Sequence, residues 1–158
     1  AAAGADALVI ESMGDIEEAK LAVAAAKATG LPVVASMVYD SGRHHDRTMM
    51  GTTPEQDAVA LATAGADVVG ANCGRGIADF VTICRRMRAA TGLPLWMKAN
   101  AGLPELVEGC TVYRTTPAEF ASHVPDLIEA GAGFIGGCCG TSPDFIREIA
   151  ATLANPSH

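Results

Sequence analysis

Residues 131–141 read GAGFIGGCCGT, a short apolar stretch that follows a Gly-Ala step and ends on two adjacent cysteines. The same Gly-Ala step precedes two apolar runs upstream, the second of which ends on Cys73. Gly-Leu-Pro triplets at residues 30–32 and 92–94 introduce two more runs. The repeat predicts five strands, at residues 7–11, 33–37, 68–72, 95–98 and 134–137.

Helical patterns fill the gaps between these strands. Asp15 precedes an acidic first turn, and residues 77–90 form a long helical pattern. Threonine or serine followed by proline, a common way to begin a helix, occurs at Thr53, Thr116 and Ser142. Strands that alternate with helices predict an α/β fold with a parallel sheet. The strands are continuously apolar, as expected when both faces of a parallel sheet are covered.

The number of strand–helix units restricts the choice among possible α/β folds. Five units are too few for a complete eight-stranded barrel, which typically takes about 250 residues. A doubly wound sheet is disfavoured because no G-x-G-x-x-G motif follows the first strand. We therefore predict parallel (βα) units of a TIM-like barrel, about five of eight strands, as a single partial-barrel domain over residues 1–158. The other strands would lie upstream, on another polypeptide or on a second copy of the chain.

Composition excludes several classes of partner. The net charge of −7 argues against binding to nucleic acid or an anionic membrane. No apolar run approaches the roughly 20 residues that span a bilayer, and the first residues lack the pattern of a signal peptide. Five cysteines, an odd number, favour a reducing compartment over a disulfide framework. We expect the protein in the cytoplasm.

Three cysteines follow predicted strands and carry the chemistry. Cys73, Cys138 and Cys139 would meet at one edge of the sheet, because parallel strands end on the same side. Three thiolates with an open fourth position suit a catalytic zinc ion. Such a site keeps an incoming sulfur electron-rich, which favours methyl or alkyl transfer to a thiol. The alternatives are a buried apolar role for Cys73 and a strained disulfide between the adjacent pair.

Other polar residues have plainer interpretations. Cys84, on a helix, and Cys110, in a loop, are interpreted as bystanders. Glu11 ends an apolar strand and is either a paired structural carboxylate or part of a site. Residues 44–46, His-His-Asp, stand in a polar loop, which favours a solvated segment over a metal cluster.

Three motifs resemble the homocysteine S-methyltransferase family. They are GANC at residues 70–73, KANAGLP at 98–104 and GGCCGTSP at 136–143. They occur in the family's order, and the similarity extends from residue 4 to about residue 150. Within the family, the chain looks most like the cobalamin-dependent methionine synthase branch.

The resemblance implies a site and a reaction. Zinc would be held by Cys73, Cys138 and Cys139, with the homocysteine sulfur as fourth ligand. Glu11 would bind the amino group of homocysteine. Asn72 and Asn100 would line the pocket and provide orienting hydrogen bonds. The product would be methionine.

The resemblance also implies partners. Family members carry a complete barrel, of which this chain resembles the last five strands. Methylcobalamin on a separate corrinoid protein is the expected methyl donor, because the chain has few aromatic residues for a sulfonium or ammonium donor. The alternatives are a different thiol acceptor, or a non-catalytic zinc-binding subunit that needs another chain or a homo-oligomer to complete its barrel.

Overall fold

The computed structural model describes residues 1–154, which form seven strands and six helices. In chain order the elements are β1 (Leu8–Met13), α1 (Ile16–Lys27), β2 (Val33–Met37), α2 (Pro54–Ala64), β3 (Val68–Cys73), α3 (Ile77–Ala90), β4 (Leu95–Ala99), β5 (Glu105–Val107), β6 (Cys110–Val112), α4 (Pro117–Ala121), α5 (Val124–Glu129), β7 (Phe134–Gly137) and α6 (Pro143–Ala154).

Five strands form one parallel sheet in the order β1-β2-β3-β4-β7. Neighbours in the sheet follow one another along the chain, with helical segments between them, as in consecutive units of a (βα) barrel. All five predicted strands are confirmed, and β2 and β7 have the predicted bounds. The fold is α/β, a five-stranded part of a TIM-like barrel.

Helices α1, α2 and α4 begin where the sequence predicts, and side chains cap their first turns. The Asp15 carboxylate accepts a hydrogen bond from the backbone N–H of Glu17 at 2.8 Å. Thr53 and Thr116 form reciprocal capping boxes. The segment that begins at Thr116 is nevertheless divided into α4 and α5, because Pro125 has no N–H to continue a helix through that position.

The core lies between the sheet and its helices. Alternate residues of β4 (Leu95, Met97 and Ala99) are buried in one cluster with side chains of α3 such as Phe80 and Met87. The other face of the sheet corresponds to the barrel interior and is incompletely covered. Val9 and Phe134, on the edge strands of the sheet, are 45% and 46% exposed there. Within residues 1–154, no further strand pairs with β1 or β7.

A small antiparallel hairpin, β5–β6, was not predicted. Its strands are three residues long and mostly exposed, so they carry no apolar run. Cys110 therefore lies in strand β6 rather than in a loop. Among the helices that the structure describes, none is long and apolar enough to cross a membrane.

Candidate metal and substrate site

The three cysteines of the sequence prediction meet at the carboxyl edge of the sheet. Cys73 is the last residue of β3, and Cys138 and Cys139 directly follow β7. Their sulfur atoms all lie within 4.8 Å of one another. The strand between them, β4, connects the two loops: the Cys138 N–H donates to the carbonyl of Ala99 at 2.8 Å, and the Cys73 carbonyl accepts from Asn100 at 3.1 Å.

The backbone around these cysteines turns sharply. Cys73 has a φ of 65° and Gly74 a φ of 67°, so two successive residues are left-handed. Such a conformation costs a residue with a side chain on the order of 1 kcal/mol or more, and it is typical of functional sites. The turn ends β3 and directs the chain across the sheet edge.

The Asn100 amide ties the two cysteine loops together. Its Nδ2 donates to the Gly74 carbonyl at 2.8 Å and to the Cys73 sulfur at 3.4 Å. Its Oδ1 accepts from the backbone N–H of Cys139 at 2.9 Å. One side chain, 5% exposed, thus fixes two of the three thiols relative to each other.

The Asn72 amide plays a similar part on the other side of the site. Its Oδ1 accepts from the Ser12 N–H and the Ser36 hydroxyl, both at 2.8 Å. Its Nδ2 donates to the Ser12 hydroxyl at 2.8 Å and lies 3.9 Å from the Cys138 sulfur. The amide connects the end of β1 to the thiol cluster.

Tyr113, just after β6, covers the turn that follows the adjacent cysteines. Gly140 has a φ of 78°, and a methyl group added there would overlap the Tyr113 ring. The unpredicted hairpin therefore leads directly to a residue that packs on the Cys138–Cys139 turn. A glycine directly after two cysteines was the only sequence signal of this contact.

The chemistry of this donor set fits a soft divalent metal ion. Burial, together with the neighbouring thiols of Cys138 and Cys73, raises the pKa of Cys139 to about 11. A cation among the three sulfurs would reverse this effect and favour the thiolates. Three sulfur donors suit zinc in tetrahedral coordination and leave a fourth position for an exogenous ligand.

The other two cysteines lie away from this cluster. Cys84 is buried in the core, which raises its pKa to about 11, and its sulfur lies 3.5 Å from the Ala130 carbonyl. Cys110 is exposed on the hairpin. That neither takes part in the chemistry stays a prediction.

Glu11 lies at a bulge near the end of β1. The pairing register shifts between Ile10 and Met13, so two residues of β1 stand opposite one residue of β2. The Glu11 carboxylate forms an ion pair with the Lys98 ammonium on β4 at 2.8 Å. Lys98 was missed at the sequence level, although it begins the KANAGLP motif and lies one residue from the buried positions of β4.

The His-His-Asp segment does not join the thiol cluster. Asp46 pairs with Arg86 of α3, and a ring nitrogen of His45 lies 3.1 Å from the Asp40 carbonyl. Arg86 also binds Glu55 of α2 at 2.6 Å, which lowers the pKa of that carboxyl to about 2. The first ion pair holds the β2–α2 loop against α3, and the second joins α3 to α2.

Comparison with known proteins assigns the chain to a family. Residues 1–153 match the family model for homocysteine S-methyltransferase. The chain is 31% identical to methionine synthase of Mycobacterium tuberculosis over 96% of its own length and 13% of that protein. It is 32% identical to betaine–homocysteine S-methyltransferase 1 of Danio rerio over 94% of its length and 40% of that protein. It thus spans less than half of either relative.

A solved structure gives the same result for the fold. The apo form of the homocysteine methyltransferase MmuM from Escherichia coli superimposes with a TM-score of 0.75 at 24% identity, covering 95% of this chain and 51% of that one. The chain belongs to the homocysteine S-methyltransferase family.

Proposed function

We propose that the chain carries the zinc and homocysteine site of a methyltransferase that converts homocysteine to methionine. The observation that supports this most directly is the cluster of three thiols within 4.8 Å of one another, formed by Cys73, Cys138 and Cys139. These residues would hold the zinc ion. When bound, zinc supplies the Lewis acidity that keeps the acceptor sulfur as a thiolate near neutral pH.

The remaining residues position the acceptor and the thiols. Glu11 would bind the amino group of homocysteine, while Asn72 and Asn100 hold the cysteine loops in place. The acceptor thiol would release its proton to solvent on binding, and its sulfur would form a new bond to the methyl carbon. The bond between that carbon and the donor breaks, and its electron pair leaves with the donor. These reaction steps require no general base.

The donor we propose is methylcobalamin carried by a separate corrinoid protein. The similarity to methionine synthase supports this choice. We place the reaction in the cytoplasm, where a reducing environment keeps the three thiols available. The zinc site does not depend on the identity of the methyl donor or on the compartment.

A methyl-transfer assay tests the function. The zinc-loaded chain is incubated with homocysteine and either methylcobalamin, a sulfonium donor or an ammonium donor, and methionine is measured with and without zinc. We expect zinc-dependent methionine from methylcobalamin. Methionine from none of the donors would contradict an enzymatic role for this chain alone.

A second candidate function is a zinc-binding subunit that needs another chain to complete its barrel. Two observations favour it: β1 and β7 have no outer partner strand in the described part of the chain, and Val9 and Phe134 are exposed. This candidate predicts bound zinc without turnover until the complementing chain is added. A different thiol acceptor is the remaining alternative, and unchanged homocysteine binding in Glu11→Gln would favour it.

A further inference from the structure

We propose that Lys98 binds the α-carboxylate of the acceptor, so that Glu11 and Lys98 together recognise the zwitterionic end of an amino-acid thiol. This inference rests on the proposed function and adds a specificity residue to it. We call the two residues the Glu11–Lys98 clamp. The two side chains form an ion pair with each other, with Nζ and Oε2 2.8 Å apart.

Both clamp residues project from the interior face of the sheet. Lys98 is in register with Asn72 on one side and Gly136 on the other, and it alternates with the core residues Met97 and Ala99. The two charged groups meet across β2 and β3, although they belong to β1 and β4. Only side chains that share the interior face can make that contact.

Two contacts hold Lys98 in this position, and a cavity lies beside it. Its ammonium lies 5.8 Å from the centre of the Trp96 ring, within the range of a cation–π contact. Its alkyl chain passes over Gly136, where an added methyl group would come within 3.3 Å of the lysine Cγ. A cavity of about 480 Å³ adjoins it and is lined by Trp96, Phe134, Gly136 and Gly137 among others.

The clamp lies close to the thiols. Asn72, the register partner of Lys98, approaches the Cys138 sulfur at 3.9 Å. Asn100, which contacts the Cys73 sulfur, is two residues beyond Lys98, or roughly 7 Å along an extended chain. In homocysteine, two methylene groups separate the sulfur from the carbon that bears both charged groups. A ligand whose sulfur joins the three cysteines can therefore extend its charged end toward the clamp.

An ion pair of this kind is easily exchanged. The Lys98 and Glu11 side chains are 24% and 38% exposed, so water and ligands reach both groups. Partly exposed pairs contribute little to folding stability. A zwitterion would replace one internal pair by two pairs, its ammonium on Glu11 and its carboxylate on Lys98, with no change in net charge. A ligand with only one charge would leave one clamp residue without a partner.

The test compares four thiols by isothermal titration of the zinc-loaded chain. Homocysteine has both charged groups, 4-sulfanylbutanoate has only the carboxylate, 3-aminopropane-1-thiol has only the amine, and 1-propanethiol has neither. We expect Lys98→Met to weaken the binding of the two carboxylate-bearing thiols about tenfold or more. The variant should bind 3-aminopropane-1-thiol as tightly as the unmodified chain does, or more tightly. Glu11→Gln should instead weaken the two amine-bearing thiols.

Matched controls separate the clamp from folding. Lys27→Met breaks an ion pair of the same 2.8 Å length, with Asp67, and should leave all four affinities unchanged. Lys98→Arg keeps the positive charge and should preserve the order of the four binding affinities. Zinc content and the melting temperature of each variant are measured in parallel, so that a loss of folding is recognised.

Three outcomes would overturn the proposal. If Lys98→Met weakens the binding of all four thiols equally, or leaves the binding of the carboxylate-bearing thiols unchanged, Lys98 does not bind the carboxylate. The proposed zinc site would be unaffected by that result. If 1-propanethiol binds but homocysteine binds no better, the clamp also fails and the metal site again stands. If no thiol binds the zinc-loaded chain, the proposed function fails, and the clamp fails with it.

Discussion

At the scale of single residues, two buried amides organise the thiol cluster. Asn100 contacts the loops of both Cys73 and Cys139, whereas Asn72 reaches only Cys138, and at a longer distance. Residues that hold metal ligands in place typically contribute 10–100-fold to metal affinity. The amides are therefore expected to matter for metal binding although neither is a ligand.

Asn100→Ala tests this role. The variant leaves the Cys139 N–H without its partner, so we expect a loss of about 1–3 kcal/mol in the free energy of unfolding. Zinc affinity should fall by roughly 10–100-fold, measured by competition with a chromophoric chelator. Asn72→Ala is the matched comparison and should lose stability with a smaller loss of zinc affinity. Equal zinc affinities in Asn100→Ala and the unmodified chain would contradict the role.

The Glu55–Arg86 ion pair makes the stability of the fold depend on pH. Arg86 lowers the pKa of Glu55 from 4.5 to about 2. The ionised carboxylate therefore stabilises the folded state above pH 4.5, and this contribution is lost as the pH falls towards 2. Because Glu55 is 40% exposed, we expect no more than about 1 kcal/mol at pH 7.

The measurement is the stability of Glu55→Gln against that of the unmodified chain in a pH series. The difference should be largest at neutral pH and disappear near pH 2. Glu18→Gln, on the exposed part of α1, serves as the control. A difference that grows as the pH falls would contradict the assignment of the ion pair.

At the scale of elements, the contact between β3 and β4 depends on a glycine. A methyl group at Gly70 would overlap the carbonyl of Trp96 on the neighbouring strand. Gly70→Ala must therefore separate the two strands, and these strands position Cys73 and Asn100. We expect a loss of about 3 kcal/mol or more in the free energy of unfolding, measured by denaturant titration.

Gly92→Ala is the matched control, because nothing lies within 4 Å of the added methyl group. It should leave stability unchanged or raise it by about 0.4–1 kcal/mol. If Gly70→Ala were as stable as Gly92→Ala, the close approach of β3 and β4 would be refuted.

The elements also show which features a sequence can predict. The five sheet strands were recognisable because each is a continuous apolar run between turn residues. Helices α1, α2 and α4 were recognisable by their capping residues. The β5–β6 hairpin lacked both signals. The division between α4 and α5 depends on one proline whose effect on the helix was not recognised.

The meeting of the three cysteines was predictable because the strands that precede them were recognisable. Parallel strands end on one side, so Cys73, Cys138 and Cys139 could be expected to meet once the strands were recognised, and the structure brings them together. The partner of Glu11 could not be inferred in the same way. Its contact with Lys98 crosses two intervening strands and depends on the curvature of the sheet and the bulge in β1. The spacing of residues along the chain predicts neither the curvature nor the bulge.

At the scale of the whole molecule, the sheet formed by residues 1–154 has an incompletely covered interior face and, within those residues, two unpaired edges. Unpaired parallel strands expose backbone N–H and C=O groups that pair readily with another chain. We expect the chain on its own to associate, so that light scattering gives a mass above the 16.1 kDa of one copy. A monodisperse 16.1 kDa species that binds zinc and homocysteine would contradict this expectation.

We propose that three thiols of this chain hold zinc for a thiol acceptor. The most direct measurement is metal analysis of the reduced, purified chain, followed by titration of the zinc form with homocysteine. We predict about one zinc ion per chain, homocysteine binding that requires the metal, and loss of both in Cys73→Ala but not in Cys110→Ala. A chain without zinc, or with zinc that does not respond to homocysteine, would contradict the claim.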